Sequence, residues 1–257
     1  MSSLLHSEWI KLRSLRSVLW TTAVVLVLMA GLGALFSFGK AHELAVSGTA
    51  ADRAGYDPTA SSLSGMLLAQ IAVGVLGVLV VTSEFASGSI RTSLAAAPVR
   101  GRLLAAKAVT AAAVALVIGW AGGLAAFLLA QRVIAGQGLA AASLSSAPVD
   151  RALLGAGLYL AVTALFGLAV GAMLRSTAGA LTIVIVVLLI APIFSAALPS
   201  AVAGWIAKWW PSMAGFRVVT VAPDPSVLAP WAGFGVLAGF GAVVLAAAFV
   251  VFARRDV

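Results

Sequence analysis

The sequence predicts an all-α integral membrane protein with six transmembrane helices. Three observations carry this. Of 257 residues, 62% are hydrophobic and 9% are charged, whereas a soluble protein carries roughly 25% charged residues. Six apolar segments, at 18–38, 63–82, 108–130, 152–174, 177–198 and 230–252, match the roughly 20 residues that cross the hydrocarbon core as a helix. The basic residues gather at the ends of alternate segments, so the formal charge of +8 reflects membrane topology rather than nucleic-acid binding.

Residues 1–17, MSSLLHSEWIKLRSLRS, are too polar to span. Leu5, Trp9 and Leu12 share one helical face, while Lys11, Arg13 and Arg16 point largely elsewhere. The pattern predicts an amphipathic helix lying in the membrane interface with Trp9 at headgroup level. The other reading is a basic end that only sets topology. A cleaved signal peptide fits less well, because the apolar run at 18–38 has 21 residues against roughly 7–15 for a signal core.

The first span leads into a polar loop at 40–62, with turn signals at Gly48, Gly55 and Pro58. The second span has Gln70 as its one strongly polar member. A basic stretch at 83–107 separates it from the third span, and a loop at 131–150 leads to the fourth. Arg175 and Ser176 make a short turn into the fifth span, which Pro192 breaks near its end. Residues 199–229 hold four prolines with Trp205, Trp209 and Trp210. They are too apolar for a free loop and too broken for a span, which predicts a helical hairpin dipping into the outer interface. The sixth span ends at Arg254 and Arg255.

Six spans place both termini on one side. The inner segments then hold ten of the sixteen basic residues within 49 residues, so both termini and the basic stretch are predicted to be cytoplasmic. No separate soluble domain is evident. Gly167 with Gly171, and Gly235 with Gly239, have the spacing that lets helix backbones approach. Both pairs are expected to pack inside one bundle.

Chemistry inside the membrane is sparsely provided for. No span has a charged residue near its middle, which argues against a gradient-driven carrier that needs a buried relay. Gln70, Thr163 and Thr182 read either as substrate contacts or as groups bonded back to their own helices. There is no cysteine, and His6 and His42 lie in different segments, so no metal site or cofactor is expected on this chain. HExxH, a serine triad and paired carboxylates are absent, and so is the GxxxxGK[ST] loop that cradles phosphates. The chain is therefore not expected to be an enzyme, and uphill work would draw on a partner.

The stretch SEFASGSIRTSLAAAPVRGRLLAAK at 83–107 carries the clearest functional signal. Thr82 or Ser83 is predicted to cap a new helix with Glu84 in its first turn. Ile90 and Leu94 form an apolar stripe beside Arg91, Pro98 ends the helix, and Arg100, Arg102 and Lys107 mark the return to the membrane. This suits a docking knob for a soluble protein and equally an ordinary basic loop lying on anionic lipid.

The same residues resemble a known family. Glu84, Phe85, Gly88, Ser89, Ile90, Arg91, Ser93, Leu94, Pro98 and Arg100 match the segment E-[FY]-x-x-G-[ST]-[IL]-R-x-[ST]-L-x-x-x-P-x-R of ABC type-2 transporter permeases. The basic helix before the first span and the Trp-rich segment before the last also resemble that family. The resemblance implies a permease subunit of an ATP-driven exporter. It assigns Glu84, Phe85, Gly88, Ile90, Arg91, Leu94, Pro98 and Arg100 to a coupling helix against a separate ATP-binding-cassette ATPase, which would hold ATP and Mg. It further implies a second permease copy or a paralogue, in a plasma membrane. The rival readings are a non-transporting membrane scaffold or immunity protein, and a secondary carrier.

Overall fold

The computed structural model describes residues 2–14, 16–90, 92 and 99–255. Every regular element among them is helical, and six helices are long and apolar enough to cross a membrane. A chain in hydrocarbon has to satisfy its backbone groups internally, and helices do this within one segment.

Helix α1 (Ser2–Ser14) is followed by α2 (Arg16–Val27), a π-turn at Leu28–Leu32 and α3 (Gly33–Ser47). The candidate span Val18–Ser47 includes all of the apolar run and continues through Lys40 and Glu43. Lys40 Nζ donates to both Glu43 carboxylate oxygens at 3.1 Å, one turn apart, which supports the polar extension. Two short helices follow, α4 (Ala50–Ala54) and α5 (Pro58–Ser62). Thr49 and Asp52 form a reciprocal capping box at the start of α4.

Helix α6 (Met66–Ser87) is the second span. It does not stop at residue 82 and restart. Thr82 Oγ1 donates back to the Val78 carbonyl at 3.0 Å and Ser83 Oγ to that of Leu79 at 2.6 Å, so neither hydroxyl caps a new helix. The helix ends instead at Gly88, whose φ of 72° is the left-handed conformation that glycine adopts without a Cβ clash. The third span belongs to α7 (Arg100–Gly136), which begins well before the apolar segment and takes Arg100, Arg102 and Lys107 into its first turns.

The fourth span lies in α8 (Ala147–Leu174), and Arg175, with φ 54°, terminates it. Helix α9 (Thr177–Ile185) begins at the Ser176 cap, then passes through a π-turn at Val186–Ile190 into α10 (Ala191–Phe194). Proline at 192 has no N–H, so the regular ladder is already interrupted one turn earlier, where the π-turn sits. Residues 199–229 contain α11 (Ser200–Trp209), α12 (Pro211–Phe216) and a 3₁₀ turn, and α13 (Pro230–Arg254) is the last span.

Helices α6 and α8 form the centre of the bundle, with most of their side chains enclosed. Small residues make the close packing possible. A Cβ added at Gly77 would clash with the Ala164 backbone carbonyl, and one at Gly167 with that of Gly74. Gly235 and Gly239 differ: a Cβ at either would meet nothing, because both lie on the exposed face of α13. The second pair therefore does not pack inside the chain as its spacing suggests. The spans around α6 and α8 turn apolar side chains such as Leu19, Val117 and Val243 outward, as a hydrocarbon solvent permits.

Candidate functional site

Four charged side chains meet where α1, the last turn of α6 and the early turns of α7 converge. Lys107 Nζ lies 2.7 Å from Glu84 Oε1 and 2.9 Å from Glu8 Oε2. Lys11 Nζ lies 3.0 Å from Glu8 Oε1 and 3.1 Å from Glu84 Oε1. The Lys107 and Glu8 side chains are 3% and 4% exposed, while that of Lys11 is 43% exposed. Among the described residues two acids and two bases meet here, so the buried charges of Lys107 and Glu8 are paired rather than isolated.

The sequence places each group locally. Glu8 and Leu12, four residues apart, both face inward from α1, with Leu12 in the core formed by α6, α7, α8 and α13. Trp9 and Ile10 face outward, Trp9 at 46% exposure. Lys11 follows Glu8 by three residues and closes the ring from the wetter side. Burial pushes the Lys11 ammonium down, and its hydrogen bonds to Glu8 and Glu84 outweigh that and raise it above the ordinary 10.5. Glu84 Oε1 takes both lysines, while its buried Oε2 accepts no hydrogen bond.

A second cluster lies at the same end of the bundle. Arg100 Nη1 donates to the Arg255 carbonyl at 2.6 Å, and Arg175 Nη2 donates to the same oxygen at 3.2 Å. Arg255 Nη1 donates to the Met173 carbonyl at 3.0 Å. The Arg175 guanidinium stands 5.2 Å over the Phe85 ring, and Phe85 meets Phe252 edge-on at 6.4 Å. The start of α7, the α8–α9 turn and the end of α13 are thereby joined, close to α1.

Most of the predicted docking residues within the described chain thus turn inward. Glu84 is buried, Phe85 packs on Phe252, and Ile90 is 2% exposed. Gly88 ends α6, and Arg100 reaches the C-terminal end. Glu84 sits at the C-terminal end of a helix, where a carboxylate gains nothing from the helix dipole; two lysines stabilise it instead. Arg91, Leu94 and Pro98 lie outside the described residues, as do the side chains of Arg13 and Arg16.

The three polar span residues fall into two places. Gln70 Nε2 donates to the Leu67 carbonyl at 2.9 Å and to that of Leu188 at 3.3 Å, and Gln70 Oε1 accepts from Tyr159 Oη at 2.5 Å. Leu188 precedes Pro192 by four residues, so its carbonyl lacks the usual helical donor and Gln70 supplies one. Trp210 Nε1 does the same for Val187 at 2.8 Å. Thr163 Oγ1, also buried, bonds back to the Tyr159 carbonyl at 3.0 Å. Thr182 bonds back to Ala178 at 3.0 Å on an exposed face of α9.

Glu8 and Tyr159 escape the sequence reading. The one signal for Glu8 is an acid four residues before Leu12, on the apolar side of an otherwise basic helix. Tyr159 carries only its hydroxyl in the middle of a span.

At the far end of the bundle Asp57 joins distant segments. Its Oδ1 caps α5 by accepting from Thr59 and Ala60, while Oδ2 accepts from the Val221 and Ala222 amides at 2.5 and 2.8 Å.

No curated protein matches the sequence. The sequence model of one family, described as ABC-2 family transporter protein, matches residues 4–192. That range takes in α1, the ionic cluster, the segment after Gly88 and the first five spans up to Pro192. With six apolar helices and a match over most of its length, the chain belongs to the ABC-2 family of membrane transporter proteins.

Proposed function

We propose that this chain is the permease subunit of an ATP-driven exporter. It pairs with a second copy or a paralogue to form the translocation path and docks a separate ATP-binding-cassette ATPase through the segment that follows Gly88. The ATPase holds ATP and Mg, and this chain hydrolyses nothing. Both termini and the docking segment face the cytoplasm, in keeping with the basic residues gathered there.

The observation that carries this reading is the Glu8–Lys11–Glu84–Lys107 cluster. It ties α1, α6 and α7 together directly beside the segment between Gly88 and Arg100. A push delivered there by an ATPase reaches the second and third spans and α1 as one body. Glu84, Phe85, Ile90 and Arg100 transmit the push from inside, while Arg91, Leu94 and Pro98 make the docking surface. Helix α1, with Trp9 outward, lies in the inner interface and moves with it. The Trp-rich α11 and the short α12 that follows it form the outer hairpin. Thr182 faces the path, while Gln70 ties together the helices that flank it and Thr163 bonds back to its own. The cargo is apolar or amphipathic, in keeping with the apolar surface of the spans.

The reading is tested by reconstituting the chain with its co-purified ATPase and measuring cargo-stimulated hydrolysis. Arg91→Ala is expected to uncouple hydrolysis while the chain still inserts and melts normally. Unchanged stimulation would contradict the assignment.

A further inference from the structure

At the end of the bundle opposite the ionic cluster, the chain that leads into the last span surrounds a pocket of about 410 Å³. Hydrogen bonds and prolines set its shape. Arg151, in the first turns of α8, donates Nη2 to the Thr220 carbonyl, and Asp57 holds the Val221 and Ala222 amides. Beyond them Pro223, Pro225 and Pro230 each restrict φ, and Asp224 Oδ1 closes a turn by accepting from the Ser226 amide and hydroxyl.

We propose that this pocket binds the phosphate of an anionic phospholipid, with Arg217 and Arg151 as its donors.

The first argument is charge. Arg151, Arg217 and Asp224 are the ionisable residues that line the pocket, so it carries one positive charge. The second is donor capacity. Arg217 Nη2 stands 3.7 Å from Asp224 Oδ2, too far for a charge-assisted hydrogen bond of about 2.7–2.9 Å. Among the described residues Arg217 makes this ion pair and donates no hydrogen bond, while Arg151 gives one N–H to a carbonyl. A guanidinium has more donors than that, set in a planar fork that matches phosphate oxygens.

The third argument separates a lipid from a free anion. Val227, Leu228 and the three prolines make the rest of the wall, and proline has no N–H to give. A small hydrated anion would lose water there without replacement, whereas the glycerol and ester groups of a lipid tolerate an apolar wall. The level also fits. Arg151 lies in the first turn of the span Pro148–Leu174, and Pro230 opens the span Pro230–Arg254. Trp231, next to Pro230, is exposed, and aromatic side chains gather at headgroup depth.

Neither an ATPase nor a cargo is needed for this binding. The test uses the purified full chain in mild detergent, offered equal amounts of dioleoyl phosphatidylglycerol and phosphatidylcholine, with retained lipid read by native mass spectrometry. Phosphatidylglycerol is expected to be favoured roughly tenfold, because choline would bring a further positive charge beside two guanidiniums. Arg217→Gln should retain one phosphatidylglycerol fewer than the unaltered chain. Lys208→Gln, which removes a charge from the same connection outside the pocket, should retain the full number. Asp224→Asn should retain phosphatidylglycerol more strongly, since asparagine can still accept from Ser226 while the competing charge is gone. A merely structural role for Asp224 would not give a gain. Melting curves identify any variant that does not fold, and if Arg217→Gln is one, Asp224→Asn decides. Equal retention of phosphatidylcholine, displacement of the lipid by an equal concentration of soluble glycerol phosphate, full retention by a folded Arg217→Gln variant, or no gain in Asp224→Asn would overturn the proposal.

Discussion

Lys107 Nζ and Glu84 Oε1, 23 residues apart in sequence, lie 2.7 Å apart across the gap between the second and third spans. With Glu8 and Lys11 they make a four-membered cluster among the described residues, at the end of the bundle where the chain leaves and re-enters it. Removing one member of such a set leaves a buried charge without its counterpart, which destabilises by about 3–5 kcal/mol. Lys107→Met and Glu84→Gln are each expected to lower the melting temperature in detergent. The double variant should lose less than the sum of the two, with a coupling of about 0.5–3 kcal/mol. Simple additivity would mean that the two side chains do not interact.

The π-turn before Pro192 gives a second expectation. Gln70→Leu removes the donor to the Leu188 carbonyl and the nearer of two acceptors for Tyr159, whose hydroxyl keeps the Ser212 carbonyl at 3.3 Å. Each buried group left unpaired is worth about 1–3 kcal/mol. Tyr159→Phe should be milder, and adding it to Gln70→Leu should lower stability little further. Thermal unfolding of the three variants decides this, and a neutral Gln70→Leu would contradict it.

Glycine substitutions separate packed from open helix faces. Gly77→Ala and Gly167→Ala force a methyl into a backbone carbonyl across the α6–α8 crossing, at about 1–3 kcal/mol for overpacking. Gly235→Ala and Gly239→Ala meet open space and should not lower the stability of the single chain. If all four behave alike in melting experiments, the α6–α8 crossing is wrong.

Much of this architecture was legible in the sequence, because membrane helices announce themselves by length and composition. The ends of the helices were not. A charge after an apolar run looks like the start of a loop, yet Lys40 and Glu43 continue α3 by pairing with each other, and Lys107 continues α7 by pairing with Glu8 and Glu84. Thr82 and Ser83 look like caps, but in a helix already running their hydroxyls bond backward. The partner of Lys107 across 99 residues leaves no trace in local pattern. Gln70 stood out as the polar member of its span, whereas the carbonyl it serves follows from Pro192 only once the helices are side by side.

The cluster also has a pH dependence. The Lys11 ammonium is raised above 10.5 by Glu8 and Glu84, so its contribution is fully present below that value and is lost as pH rises through the folded value. The expected result is a fall in melting temperature above about pH 10.5 that is reduced in Lys11→Met. An identical alkaline fall in that variant would place the titration elsewhere.

The central claim is that the segment after Gly88 docks a separate ATPase. Gly88 is exposed and sits at φ 72°, which proline cannot adopt, so Gly88→Pro redirects the segment and strains the last turn of α6. The decisive measurement is mass spectrometry of what co-purifies with the chain from native membranes in mild detergent. A soluble P-loop ATPase in equimolar amount, lost in a Gly88→Pro variant that still inserts, is the predicted result. A chain that emerges without any ATPase, or a Gly88→Pro variant that keeps its full complement, would contradict the account.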